Sequence, residues 1–137
     1  MQGSIIPTMI FRNVDKAIKW LGTAFGFQTH LVVRGEAGTV VHAQLVLAGG
    51  MIVLGEGSGH EGDEYERINR TPNEIDGINT MGVYLLIEQI DTHYERAKAA
   101  GARMVLDIQD QAYGGRGYTC TDLEGHLWSF GSYDPWA

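Results

Sequence analysis

Near its carboxyl end the chain reads Asp122-Leu-Glu-Gly-His-Leu-Trp-Ser-Phe-Gly131. The Leu-Glu-Gly triplet makes a tight loop between Asp122 and His126, and the residues from Leu127 to Tyr133 alternate as a strand does when its two faces meet different surroundings. That alternation sends Trp128 and Phe130 toward packed helices and Leu127, Ser129, Gly131 and Tyr133 toward the opposite face. A three-residue loop also pairs Thr119 with Ser129, joining Tyr118–Asp122 to Leu127–Tyr133 and turning Cys120 beneath the helices, where a thiol is inert packing. Upstream, Thr80–Glu88 reads as a strand, Ile90–Ala100 as a helix and Arg103–Asp110 as a strand. The order of this half is βαβββ.

The same order occurs earlier in the chain. Ser4–Phe11 is extended, since its Ile and Phe residues suit a sheet and Pro7 opposes a helix. Asn13 offers an N-cap, and Val14, Ala17, Ile18, Leu21 and Phe25 recur at spacings of three and four, one helical face that stops before Gly26. Phe27–Arg34, Val40–Leu47 and Met51–Gly55 follow as strands. The two halves align with 91 − 15 = 76 between Asp15 and Asp91, and with 101 − 26 = 75 and 125 − 50 = 75 between paired glycines. Duplication of this kind implies that each half supplies part of a shared sheet or cavity. The chain is one domain of residues 1–137, with module one at 1–55, a connector at 56–79 and module two at 80–137. The connector holds two arginines against seven carboxylates, 2 − 7 = −5. It reads as a solvated, mobile loop, either a plain linker or a lid.

Composition narrows the function. The 137 residues are 44% hydrophobic and 20% charged, enough for one core. The lone Cys120 makes no internal disulfide, which suits a reducing, cytoplasmic setting. Ten basic against seventeen acidic residues give −7 and a pI near 5.1, which disfavours nucleic acid as a partner. The opening residues lack the basic and apolar regions of a signal peptide, and His42, Gln44 and Gly49-Gly50 interrupt the uncharged stretch from Ala37 to Gly55, so no membrane segment is expected. Gly57-Ser-Gly-His-Glu-Gly62 is a literal G-x-G-x-x-G, but carboxylates flank it and no apolar helix follows, so it does not read as a dinucleotide loop.

With two βαβββ modules, Tyr113-Gly-Gly-Arg-Gly-Tyr118 and the Asp122–Gly131 stretch, the chain resembles the glyoxalase, bleomycin-resistance and extradiol-dioxygenase superfamily, also called vicinal oxygen chelate. Its nearest look is to the PhnB-like, glyoxalase-related branch, and the likeness fails only in the connector. The resemblance implies an α+β fold in which the modules form a curved, mostly antiparallel sheet around a cavity, with helices on the convex face and a homodimer as the assembly. Metal-dependent members hold a divalent ion in that cavity. Carried over by position, their first-strand ligand falls on Ile6, with Gly82 as its repeat mate at an offset of 76, and their terminal Glu falls on Ser129, with Leu54 as its mate at 75. Only Ser129 has a side-chain oxygen. The usual metal site, and glyoxalase-I or dioxygenase chemistry by the family's route, are therefore expected to be absent.

Strand alternation fills in the rest of the cavity face. His42, Gln44, Thr119 and Ser129 should face it, with Thr8, Ile10, Tyr84 and Leu86 beside Ile6 and Gly82. A module-one loop matching that of module two would pair Gln44 with Leu54 and His42 with Glu56. An imidazole across from a carboxylate suits a general base, or a strand end that merely meets solvent. His30, His60, His93 and His126 read as surface residues. The predominance of Ile6, Ile10, Leu54, Leu86, Leu127, Tyr84 and Tyr133 reads either as core packing or as a site for a small apolar or aromatic molecule. Arg116 is a solvated turn residue or a group that meets an anion at the cavity mouth. Two functions follow. One is a metal-independent small-molecule binding protein of the bleomycin-resistance type, without cofactor. The other is a lyase or isomerase with a non-standard metal, or an acid/base pair, at His42 and Glu56.

Overall fold

In the computed structural model, which describes residues 3–56 and 62–137, the first helix is closed at both ends by the residues that suit it. Asn13 accepts from Lys16 N at 3.0 Å, and Gly26 ends α1 (Val14–Phe25) in the left-handed region at φ 93°. The face spaced at three and four residues buries Val14, Ala17, Leu21, Ala24 and Phe25. Around it, β1 (Thr8–Ile10), β2 (Gln28–Arg34), β3 (Val40–Leu47) and β4 (Gly50–Gly55) form a sheet of order β1-β4-β3-β2, parallel only between β1 and β4. After the connector, β5 (Val83–Leu86), α3 (Ile90–Ala99), β6 (Arg103–Asp110), β7 (Arg116–Thr121) and β8 (Leu127–Gly131) repeat the plan in the order β5-β8-β7-β6. The fold is α+β, a duplicated βαβββ unit with two four-stranded mixed sheets.

One core serves both modules. Phe25 of α1 lies 5.3 Å from the Trp128 ring and 4.7 Å from Phe130, the two aromatics that β8 sends inward. Both are fully buried, and each such ring contributes about 2–3 kcal/mol of transfer free energy. Arg96 of α3 donates to Thr23 O and Gly22 O, both at 2.7 Å, satisfying carbonyls that the end of α1 leaves open. Cys120 is buried beneath the helices, where desolvation pushes its thiol up to about 12 and leaves it unreactive. No helix among the described residues is long and apolar enough to cross a membrane.

The Asp122–His126 loop locks the modules together. Asp122 Oδ1 accepts from Glu124 N at 2.9 Å and His126 N at 3.0 Å, while Oδ2 accepts from the buried Trp128 Nε1 at 2.9 Å. So held, the loop presents Glu124 to module one. Its carboxylate accepts from Arg12 N at 2.7 Å and Asn13 N at 3.0 Å, beside the first turn of α1, where negative charge is favoured.

Two expectations need correction. The connector is not structureless where described, since it forms α2 (Glu64–Ile68) and a 3₁₀ turn (Pro72–Ile75). The reason is local satisfaction of polar groups: Asp63 caps α2, and Glu74 accepts from Thr71 N and Thr71 Oγ1, both at 2.9 Å. Most of the Gly57–Gly62 motif, with His60, lies outside the described residues. His30 is exposed, but His93 and His126 are not surface residues. The His126 ring sits 4.4 Å from Phe11 and its Nδ1 lies 3.2 Å from Asp122. His93 is buried between the helices, with Nε2 2.8 Å from Phe25 O and Nδ1 2.7 Å from Tyr118 Oη. Donation of Nε2–H to the carbonyl and acceptance from the phenol satisfy a neutral ring.

Two measurements check this account. Asp122→Ala strands three donors, one of them fully buried, and should lower unfolding free energy in urea by about 3 kcal/mol, with Asp122→Asn costing about 1–2 kcal/mol. Burial holds His93 below its ordinary value of 6.5, so the unfolded chain takes up the proton first as pH falls. The urea midpoint should therefore decline as pH drops below that value, and His93→Gln should flatten the decline.

Candidate functional site

Both sheets pack one face on the shared core and leave the other open, and the open faces are where a ligand meets the fold. The register of β3 on β4 decides which side chains of module one point there. Ala48 and Gly49, at φ 51° and 83°, form a two-residue turn, so Leu47 pairs with Gly50. Module two instead encloses three residues, with Asp122 N donating to His126 O at 3.0 Å. The one-residue difference flips the β4 assignment. Gln44 pairs with Val53, not Leu54, and Leu54 is fully buried in the core. Val53 therefore stands where Leu54 was expected, and the true offset to Ser129 is 129 − 53 = 76.

This register also separates His42 from Glu56. Continued by one step, the pairing sets His42 against Gly55 and Glu56 beyond it on the other face. The imidazole finds Gln44 instead, Nε2 to Nε2 at 3.0 Å. An amide nitrogen only donates, so this geometry assigns the acceptor role to His42 Nε2. His42 lines a cavity of about 340 Å³ with Thr8, Ile10 and Val53, covered by Tyr65 of α2. Ile6 lies at the other end of this face, in a cavity of about 660 Å³ with Gln28, Val46 and Met51.

On the second sheet the structure places the side chains as alternation requires. Thr119 and Ser129 pair, their hydroxyls 2.8 Å apart, with Tyr84 beside Ser129 and Leu86 beside Gly131. Leu127 begins β8 on the same side and lies 3.3 Å from where a side chain at Gly82 would start. Tyr84 Oη donates to Tyr133 O at 2.7 Å, and the Tyr113 and Tyr133 rings meet edge to face at 4.9 Å. Burial, with Tyr113 close by, raises the Tyr84 phenol above its ordinary pKa. Arg116 does not stand free at a cavity mouth, because its guanidinium meets Asp91 at 3.0 Å and Asp110 at 3.3 Å on the helix side. Leu31, Val33 and Leu106 join the open faces, through pairings with Gln44, His42 and Thr119. Sequence reading passed over them, although Leu31 and Val33 already alternate.

The chemistry of these faces is set by what they lack. On β1 to β5, β7 and β8 no Asp, Glu, Lys or Arg points to the open side, in a chain with twenty-seven such residues. The positions matching the family's metal ligands are Ile6, Val53, Gly82 and Ser129, one hydroxyl among four, which does not fit a divalent ion. Among the described residues no three His, Cys, Asp or Glu side chains gather as a metal site. A double-mutant cycle tests the register. His42→Ala and Glu56→Ala should add in stability within about 0.5 kcal/mol, whereas His42→Ala and Gln44→Ala should couple.

Comparison with known proteins agrees with this architecture. The model of the Glyoxalase/Bleomycin resistance protein/Dioxygenase superfamily matches residues 7–130. An uncharacterised protein of Mycobacterium bovis is 26% identical over 135 residues, covering 96% of this chain and 84% of that protein. Among solved structures, TioX from Micromonospora sp. ML1 is 29% identical with a TM-score of 0.72, covering 94% of both chains. TnmS3, an antibiotic binding protein from Streptomyces sp. CB03234, is 15% identical with a TM-score of 0.68, covering 96% of this chain and 95% of its own, and so shares the fold.

Proposed function

Because the chain belongs to the Glyoxalase/Bleomycin resistance protein/Dioxygenase superfamily, a family whose name already joins three activities, we propose from its own residues that it is a metal-independent small-molecule binding protein. The observation that carries this reading is the pair of largely apolar open faces, without charged side chains on β1 to β5, β7 and β8. Burying a charged group there without a partner is costly, whereas burying an apolar one is favourable in proportion to its area. The ligand is therefore a neutral apolar or aromatic molecule, with the Thr119–Ser129 hydroxyl pair to bond one polar group and Tyr84, Tyr113 and Tyr133 to flank a ring. That TnmS3 is an antibiotic binding protein supports a small-molecule ligand.

A homodimer belongs to the same proposal. Leu31 is 44% exposed, Tyr84 41% and Leu106 56%, on faces that a second copy would close over a bound molecule. A cytoplasmic setting and a place in the PhnB-like branch are parts of this reading too, the latter resting on the motifs of module two. The alternative, lyase or isomerase chemistry at His42 and Glu56, rests on a cross-strand pairing of those two residues, whereas the β3–β4 register carried one step further sets His42 against Gly55.

The experiment is a titration with a broad set of neutral aromatic compounds, followed by Trp fluorescence and melting temperature. At least one should bind saturably and raise the melting temperature, and Ser129→Glu or Leu86→Glu should abolish both effects. Null results throughout would count against the proposal, as would stoichiometric zinc, nickel or manganese retained on purification and lost in Ser129→Ala. In sedimentation the chain should run as a dimer and Leu106→Glu as a monomer.

A further inference from the structure

A third cavity, of about 480 Å³, lies at the seam where the connector passes between β1 and β5. Its wall is mostly apolar, with Ile10 and Val83 from the strands and Ile68, Ile75, Ile78 and Met81 from the connector. Several of these are well exposed, Ile68 at 72% and Met81 at 68%, which is costly for side chains that face nothing. The charged residues lining the cavity are Arg67 and Arg70, and no carboxylate is among the lining residues. In a segment of net charge 2 − 7 = −5, that sorting of charge is the notable fact.

The sorting has a structural cause. Arg12, at the end of β1, draws the neighbouring carboxylates to itself, Glu66 at 3.1 Å and Glu74 at 2.9 Å. Although burial alone would raise the Glu74 carboxyl, its bonds from Thr71 and Arg12 outweigh that and hold it at about 2. Glu74 is thus satisfied without Arg70, which reaches its other oxygen at 3.2 Å as an exposed i,i+4 pair. Arg67 pairs with Glu64, an exposed carboxylate that water solvates when the pair opens. Exposed pairs of this kind contribute little, so both guanidiniums can turn to a better acceptor at small cost.

We propose that the seam cavity is a second binding site, taking a monoanionic amphipath: an apolar ring or chain against Ile10, Ile75 and Met81, with a carboxylate at Arg67 and Arg70. It adjoins the open faces only along Thr8, Ile10 and Leu127, and its ligand differs in charge from the neutral one they favour. Two guanidiniums against one carboxylate are suited to charge-assisted hydrogen bonding, and the apolar wall supplies area for the body.

The test uses 2-naphthoate and its neutral amide as probes of the full chain, by calorimetry and by amide chemical shifts. The carboxylate should bind about tenfold more tightly than the amide at low salt, and the advantage should shrink as salt rises. Shifts should centre on Ile68, Ile75 and Met81. Arg67→Ala/Arg70→Ala should remove the advantage while leaving the amide unaffected, and Ile75→Trp, which fills the cavity, should remove it as well by blocking the carboxylate. Lys19→Ala, on the exposed side of α1 and away from both sites, should change neither. Equal affinity of the two probes, binding of neither, an advantage that survives the double arginine variant, or shifts confined to the strands of the open faces would overturn the proposal.

Discussion

The carboxylate of Asp122 is the constraint on which the rest of the molecule is arranged. It gathers two backbone N–H groups of its own loop and the indole N–H of Trp128, so one side chain fixes both the shape of the β7–β8 turn and the orientation of the largest ring in the core. From that turn Glu124 reaches across to the start of α1. Asn73 and Asn79 then fasten the connector to the same loop through Leu123 O and Gly125 O. Turn, core and inter-module contact form one linked set of bonds, and weakening its centre loosens all three.

Much of the fold was legible because local signals agreed with tertiary need. Asn13 and Gly26 mark the ends of α1 without help from packing, and alternation from Leu127 onward assigns Trp128 and Phe130 to the core and Ser129 to the open side. What failed was transfer of register from one module to the other. Both turns contain glycine, yet Ala48-Gly49 closes in two residues and Leu123-Glu-Gly125 in three, and with a side-chain period of two that single residue moves Leu54 into the core and parts His42 from Glu56. The left-handed φ of Ala48, 51°, is the unusual feature of the tighter turn, and alanine gives no sequence warning of it. His93 was misread for a related reason. Helical position alone does not reveal that a carbonyl and a phenol wait on either side of the ring.

Charge is partitioned as sharply as hydrophobicity. Ion pairs such as Arg116 with Asp91 and Arg34 with Asp15 lie on the helix side, at the edges of the core, and the connector collects a further group around Arg12. Away from β6, the open faces are left with hydroxyls, amides, one imidazole and mostly hydrocarbon. A divalent ion, which must exchange its hydration shell for charged or strongly basic donors, finds none at the inherited positions, whereas a neutral molecule meets nothing it must desolvate at great cost.

One consequence follows from the alternation along each strand. Stability and recognition are written on interleaved residues, odd and even, of the same short segments. Trp128 and Phe130 are buried while Leu127 and Ser129 between and beside them are not. Replacements at the outward set need not disturb the inward one, so a lineage carrying this scaffold is free to retarget it to new compounds by single substitutions, each tolerated as it arises.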